Sequence, residues 1–201
     1  NGEQLANTIA AQYPVALIDE FQDTDPLQWR IFRQIYAQRA DTGLLLIGDP
    51  KQAIYSFRGA DIHTYLLARN SARQPTWTLT TNYRSTEDMV KAVNRVFGFA
   101  EEHAQGAFLF GKDQHGLPFL PVTAQGRAER LLLHDLPMPA LQFAVAADPT
   151  PMSKDAYQKM MAAHAAATLV QWLDAAQRGE CGFADAQGGF KPLSTGDIAI
   201  L

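Results

Sequence analysis

The sequence holds one cysteine, Cys181, which excludes an internal disulfide and a cysteine-rich zinc site. No run of about 18 apolar residues occurs, and the N-terminus has neither a basic region nor an apolar signal core. Membrane insertion and secretion are therefore unsupported, and a cytoplasmic setting is the default expectation. The five histidines are scattered without ligand spacing, which argues against an imidazole metal centre. No internal repeat is evident. Positive charge is also scarce: the net charge is -4, which taken alone argues against a nucleic-acid partner. Its distribution is uneven, however. Residues 48–97 carry seven basic against four acidic side chains (Lys51, Arg58, Arg69, Arg73, Arg84, Lys91 and Arg95 being the basic ones), and both flanking segments are net acidic. Such an excess is ordinarily a solvated face; here aromatic residues are interleaved with it.

What is present is 201 residues at 47% hydrophobic content, enough for one large or two small globular domains. The stretch Val-Ala-Leu-Ile-Asp-Glu-Phe-Gln-Asp-Thr-Asp at 15–25 stands out. Its apolar start reads as a short buried strand, and Asp19, Glu20, Asp23 and Asp25 crowd the strand's C-terminal end. Open α/β sheets place their ligands at that end. Like charges this close repel, so folding alone does not favour the cluster. A capped turn into a helix, with Asp23 or Asp25 as cap and Pro26 at the first helical position, accounts for the later acids. Asp19 and Glu20 are left without a structural task.

Along the chain, apolar spacing predicts helices over residues 3–12, 26–39, 61–69 and from Ser85, as a weak capping box with Asp88, through Phe97. A further helical segment is expected from Gln52 to about Gly59. Residues 44–47 form a continuous apolar run, the pattern of a parallel strand covered on both faces. Residues 77–80 are a third strand candidate. Beyond Phe97, Gly and Pro punctuate short apolar runs, which reads as a linker followed by irregular or β structure. Residues 131–133 and 141–146 are weak strand candidates, and 148–151 is a break. A long Ala-rich helix capped by Ser153 is expected over 154–178, then a flexible loop over 179–195 and a strand from Asp197 to the last residue.

Each strand candidate of the first half ends in a polar cluster. An acidic pair after a strand is the arrangement in which one carboxylate holds Mg²⁺ and the other acts on an attacking water. Gln52 has the chemistry to read a terminal phosphate, Tyr55 and Phe57 to stack on bases, and Arg58 to meet a nucleic-acid backbone. Packing inside a helix is the commoner fate of such aromatics. Tyr83 and Arg84 suit a purine ring and a phosphoryl oxygen; the bland alternative is a surface ion pair.

Asp19-Glu20-Phe21-Gln22-Asp23, the block from Gly48 to Asp61 (GDPKQAIYSFRGAD), and Asn82-Tyr83-Arg84-Ser85 resemble motifs II, III and IV of the UvrD/Rep-type superfamily 1 DNA helicases, in the same order and spacing. The extended forms are most similar to helicase-nuclease members of that family. The resemblance covers residues 11–97. It implies ATP and Mg²⁺ as cofactors, with Asp19 binding the metal, Glu20 acting on the hydrolytic water, Gln52 sensing the γ-phosphate, Tyr83 stacking on adenine and Arg84 serving as an arginine finger. It also implies a single-stranded DNA track along Tyr55, Phe57 and Arg58, and a parent that works with other subunits of a helicase-nuclease complex in recombination and double-strand break repair.

Three features depart from the family pattern: no phosphate-cradling GxxxxGK[ST] occurs, the later arginine that completes such a site is absent, and so is a nuclease domain. The expectation is an α/β chain internal to a longer subunit. Residues 1–97 would be the C-terminal half of a first RecA-like domain with a parallel sheet flanked by helices, 98–114 a linker, and 115–201 the start of a second RecA-like domain. By itself this stretch is expected not to hydrolyse ATP. The alternative is a non-catalytic module with weak single-stranded DNA affinity, since stacking contributes only ~1 to 3 kcal/mol per base.

Overall fold

The computed structural model describes residues 2–72, 76–113, 115–146 and 151–201. It is a mixed α/β chain of two compact units, one comprising Asn1–Thr78 with Phe99–Phe119, the other Leu79–Gly98 with Leu120–Leu201. The units interleave in sequence, and their division passes through the last turn of a helix.

In the first unit, α1 (Gly2–Gln12) ends where Tyr13 precedes Pro14, which pushes the chain out of the helical region. β1 (Val15–Ile18) follows and pairs in parallel with β2 (Gly43–Leu46), in a register that sets Val15 opposite Gly43 and Ile18 opposite Leu46. Between them Asp25 caps α2 (Pro26–Phe32) through a full capping box: its side chain accepts from Gln28 N–H, and the Gln28 side chain accepts from Asp25 N–H. The expected helix to residue 39 is shorter, because the last turn, Arg33–Ala37, widens to a π-helical turn. Ala6 and Ala10 of α1, with Ile35 and Tyr36 of that turn, form the buried core, against which Ala16 and Leu44 pack. Only one face of the sheet is covered. Val15, Leu17 and Leu45 remain about half exposed, so the reading of a strand covered on both faces fails among the described residues.

The helix expected from Gln52 is instead two 3₁₀ turns, Pro50–Gln52 and Ser56–Arg58. The Asp49 side chain takes the Lys51 N–H that a longer helix would organise, and Gly59, at φ 92°, ends the second turn. α3 (Ile62–Asn70) then starts on its Asp61 cap as expected.

Residues 77–80, where the chain passes from the first unit to the second, form no strand. Trp77 and Leu79 are 90% and 92% exposed. Pairing begins only at β3 (Thr81–Asn82), whose parallel partner is β4 (Thr123–Ala124). α4 (Glu87–Ala100) begins one residue later than expected: Thr86, not Ser85, accepts the Met89 N–H, while Asp88 pairs with Arg130 at 3.3 Å.

A four-stranded antiparallel sheet of order β6-β5-β7-β8 completes this unit, built from β5 (Arg130–Leu133), β6 (Leu136–Pro137), β7 (Cys181–Ala184) and β8 (Phe190–Pro192). The flexible loop expected over 179–195 is therefore a hairpin. Asp185 nucleates its turn by accepting N–H bonds from Gln187 and Gly189. α5 (Lys154–Gln177) starts on Ser153 as expected. Its C-terminal residues Ala175 and Ala176 meet Cys181 and Leu193 in the core, and burial pushes the Cys181 thiol above its ordinary value.

Residues 141–146 are not a strand. Nor do residues 197–201 form one: a 3₁₀ turn (Thr195–Asp197) precedes an unpaired end. In that turn Lys191 and Ser194 hold the Asp197 carboxyl down to about 2. Of the break at 148–151, residues 148–150 lie outside the described residues, as does Arg73.

Candidate functional site

β1 and β2 end side by side, and the hydrogen bonds of the ladder carry on past the strands: Ile47 N–H donates to the Ile18 carbonyl at 2.8 Å and Phe21 N–H to the Ile47 carbonyl at 2.9 Å. The chain between them, Asp19 and Glu20, is thereby held at the sheet's C-terminal edge with both side chains exposed. Glu20 lies in the left-handed region at φ 50°, ψ 41°, a conformation that costs a non-glycine residue about 1 kcal/mol or more. It is fixed there by a hydrogen bond from its N–H to Asp19 Oδ1 (2.9 Å) and by Phe21, which is 1% exposed. The Phe21 ring packs edge-on against Trp29 at 5.6 Å and lies 6.0 Å from Tyr65. Burial of that one ring contributes about 2 kcal/mol.

Gln22, 2% exposed, joins the two strand ends. Its Nε2 donates to Glu20 Oε2 at 2.6 Å, and its Oε1 accepts from Asp49 N–H at 3.0 Å. Asp49 in turn accepts from Gln52 Nε2 at 3.1 Å, from Lys51 N–H, and pairs with Lys51 Nζ at 2.7 Å. Burial alone would raise the Asp49 carboxyl, but the Lys51 ion pair, the Gln52 amide and the Lys51 backbone N–H outweigh it and hold the carboxyl below its ordinary value. Glu20, Gln22, Asp49 and Gln52 thus form one continuous hydrogen-bonded chain. Gly48 makes room for it: a Cβ there would stand 2.6 Å from Gln22 Oε1 and 3.1 Å from Phe21 N. Reasoning from the sequence missed both Gln22 and Gly48 as participants; their only signal is membership of the two polar blocks. Asp25 serves as a helix cap, and Asp23 keeps one buried carboxylate oxygen without a hydrogen-bond partner.

The donor set bears on whether a metal fits. Among the described residues no group of three or more His, Cys, Asp and Glu side chains could hold an ion by itself. Asp19 with Glu20 offers one or two carboxylates, the number that suits Mg²⁺ arriving on phosphate oxygens and keeping its waters.

Tyr55 precedes the second 3₁₀ turn and Phe57 lies within it, with ring centroids 5.8 Å apart, and Phe57 is 76% exposed. They are not packed as helix core. Arg58 is the last residue of that turn, which Gly59 N–H closes onto the Ser56 carbonyl; the Arg58 side chain lies outside what the structure describes. Tyr83 and Arg84 belong to the other compact unit. There Asn82 Oδ1 accepts the N–H groups of Arg84 and Ser85, a turn that leaves both the Tyr83 and Arg84 side chains exposed.

Comparison with known proteins bears on the family. The UvrD/REP helicase N-terminal domain matches residues 1–73, the stretch that carries Asp19, Glu20, Asp49 and Gln52. RecB, a subunit of the RecBCD enzyme, from Escherichia coli (strain K12) is 43% identical over 203 residues, covering 100% of this chain. The chain belongs, in residues 1–73, to the UvrD/Rep helicase family. Its RecB-like character extends through both units: RecB of Haemophilus influenzae is 38% identical over 100% of the chain, and RecB of Chlamydia muridarum 46% identical over 47% of it. Of the lengths of these three relatives the chain spans 16%, 15% and 10%.

Proposed function

We propose that the chain supplies the carboxylate side of the ATP site, and part of the single-stranded DNA track, of an ATP-dependent helicase or helicase-nuclease subunit acting in recombination and double-strand break repair. Residues 1–97 are then the C-terminal half of a first RecA-like domain, 98–114 a linker, and residues from about 115 begin a second. The observation that carries this reading is the hydrogen-bonded chain joining Glu20 to Gln52 across the ends of two parallel strands.

Asp19 is the residue to hold Mg²⁺, which when bound neutralises charge on the transferring phosphoryl group. Glu20 presents its carboxylate to a water at the strand end and takes the water's proton. Gln52, tethered to Asp49 in this state, has an amide suited to a phosphate oxygen. Tyr83 offers a ring to the base and Arg84 a guanidinium to phosphoryl oxygens. Tyr55 and Phe57 offer exposed rings to unpaired bases, with Arg58 beside them, and the interleaved basic residues suit the backbone of the same strand. The remaining subunits of a helicase-nuclease complex are the partners this reading implies.

The roles of Asp19 and Glu20 separate experimentally. In the full-length protein, Asp19→Asn is expected to raise the Mg²⁺ concentration needed for half-maximal DNA-dependent ATP turnover, with Glu20→Gln leaving the Mg²⁺ requirement for ATP binding unchanged. An Asp19→Asn enzyme with the wild-type Mg²⁺ dependence contradicts the assignment.

A further inference from the structure

Gln22 lies two positions after Glu20, in the 3₁₀ turn Phe21–Asp23, and, unlike Asp19 and Glu20, is withdrawn from solvent at 2% exposure. A buried amide must satisfy both its ends or cost about 1 to 3 kcal/mol. Here a single orientation does so. The carboxylate of Glu20 is an acceptor only, and the Asp49 backbone N–H is a donor only, so the NH₂ must face Glu20 and the carbonyl must face Asp49. The Gln22 bond to Glu20 is at 2.6 Å, and it lands on the one acid of the site whose backbone occupies the left-handed region. The absent Cβ of Gly48 is what allows the amide this position. Nothing in a purely structural turn requires a buried amide to grip an exposed carboxylate.

We infer that Gln22 is a positioning residue, which fixes the Glu20 carboxylate where it takes the proton of the attacking water, and ties it to the loop that carries Asp49 and Gln52. The inference rests on the reading of Glu20 as the carboxylate that activates water. Displacement of a reacting group by about 1 Å can cost about a hundredfold in rate, so the amide should act on turnover rather than on nucleotide affinity.

The test uses the full-length protein and DNA-dependent ATP turnover, with kcat and KM separated and thermal stability recorded. Gln22→Met keeps the side chain's length and removes both hydrogen bonds; kcat should fall about tenfold to a hundredfold with KM for ATP unchanged. Gln22→Glu keeps an acceptor for Asp49 N–H but sets a second carboxylate against Glu20. Its kcat should fall at least as far as that of Gln22→Met. Gly48→Ala, which pushes the same amide from the other side, should lower kcat too. Combining Gln22→Met with Glu20→Gln should slow turnover no further than Glu20→Gln alone. Wild-type kcat in Gln22→Met or Gln22→Glu, or losses that multiply in the double variant, overturn the positioning role. If Gln22→Met fails to fold, Gln22→Glu and Gly48→Ala decide the matter by the same criteria. A fully active Glu20→Gln protein overturns instead the reading of Glu20 on which the inference rests.

Discussion

At the scale of single residues, Asp49 shows how burial and partners compete. Desolvation works against its charge, but Lys51 and the Gln52 amide more than compensate, so its folded-state pKa lies below the ordinary 3.8. A carboxyl depressed on folding contributes stability that is present above its unfolded value and lost as the pH falls through the folded one. Asp49→Asn is therefore expected to lower the thermal midpoint at neutral pH, and the gap to wild type should close as the pH falls below 3.8. Thermal melts at a series of pH values check this; a gap that persists in strong acid would show that packing, not charge, is what Asp49 contributes. The acidic pair was legible in the sequence because Asp19 and Glu20 had no structural task after a strand. Gln22 was not, since its role depends on Asp49, 27 positions away, coming within hydrogen-bond reach.

At the scale of elements, legibility followed how local the cause was. α1, α3 and α5 are where apolar spacing and the caps Asp61 and Ser153 put them, because each cap is satisfied by an N–H within three residues. Strands depend on partners. Residues 77–80 have good strand composition yet form no ladder, only the Thr80 carbonyl accepting from Thr123, whereas Cys181–Ala184 and Phe190–Pro192, read as a loop, form a hairpin in a sheet where Leu131 and Leu133 lie opposite Phe183 and Cys181. The β5–β6 turn makes a further case: Leu133 faces Leu136 across a two-residue loop in which His134 and Asp135 adopt φ 51° and 62°. Two successive positive φ values are the signature of a type I′ turn, which favours Asn-Gly. Replacing His134-Asp135 by Asn-Gly should stabilise the chain by about 0.5 to 1 kcal/mol. Urea denaturation measures the change, and a loss of stability would mean that the His134 pairing with Glu180 at 3.6 Å outweighs the backbone strain.

At the scale of the whole molecule, the α/β class and the parallel pairing of β1 with β2 were legible, while the antiparallel sheet of the second unit was not, because four short strands with little alternation give weak signals singly. The acidic net charge likewise conceals a basic, aromatic segment that carries the exposed rings of Tyr55, Phe57 and Tyr83. The two halves of the proposed chemistry are divided between the units: the acids and Gln52 in one, Tyr83 and Arg84 in the other. Relatives that match the chain along its length are several times longer, and the proposed site uses only part of such a protein. Its centre is Glu20. The most direct measurement is single-turnover hydrolysis of pre-bound ATP on DNA by the full-length protein carrying Glu20→Gln. Hydrolysis should fall by about a hundredfold or more with ATP still bound; hydrolysis at the wild-type rate would contradict the assignment of the carboxylate at the end of β1 as the group that activates water.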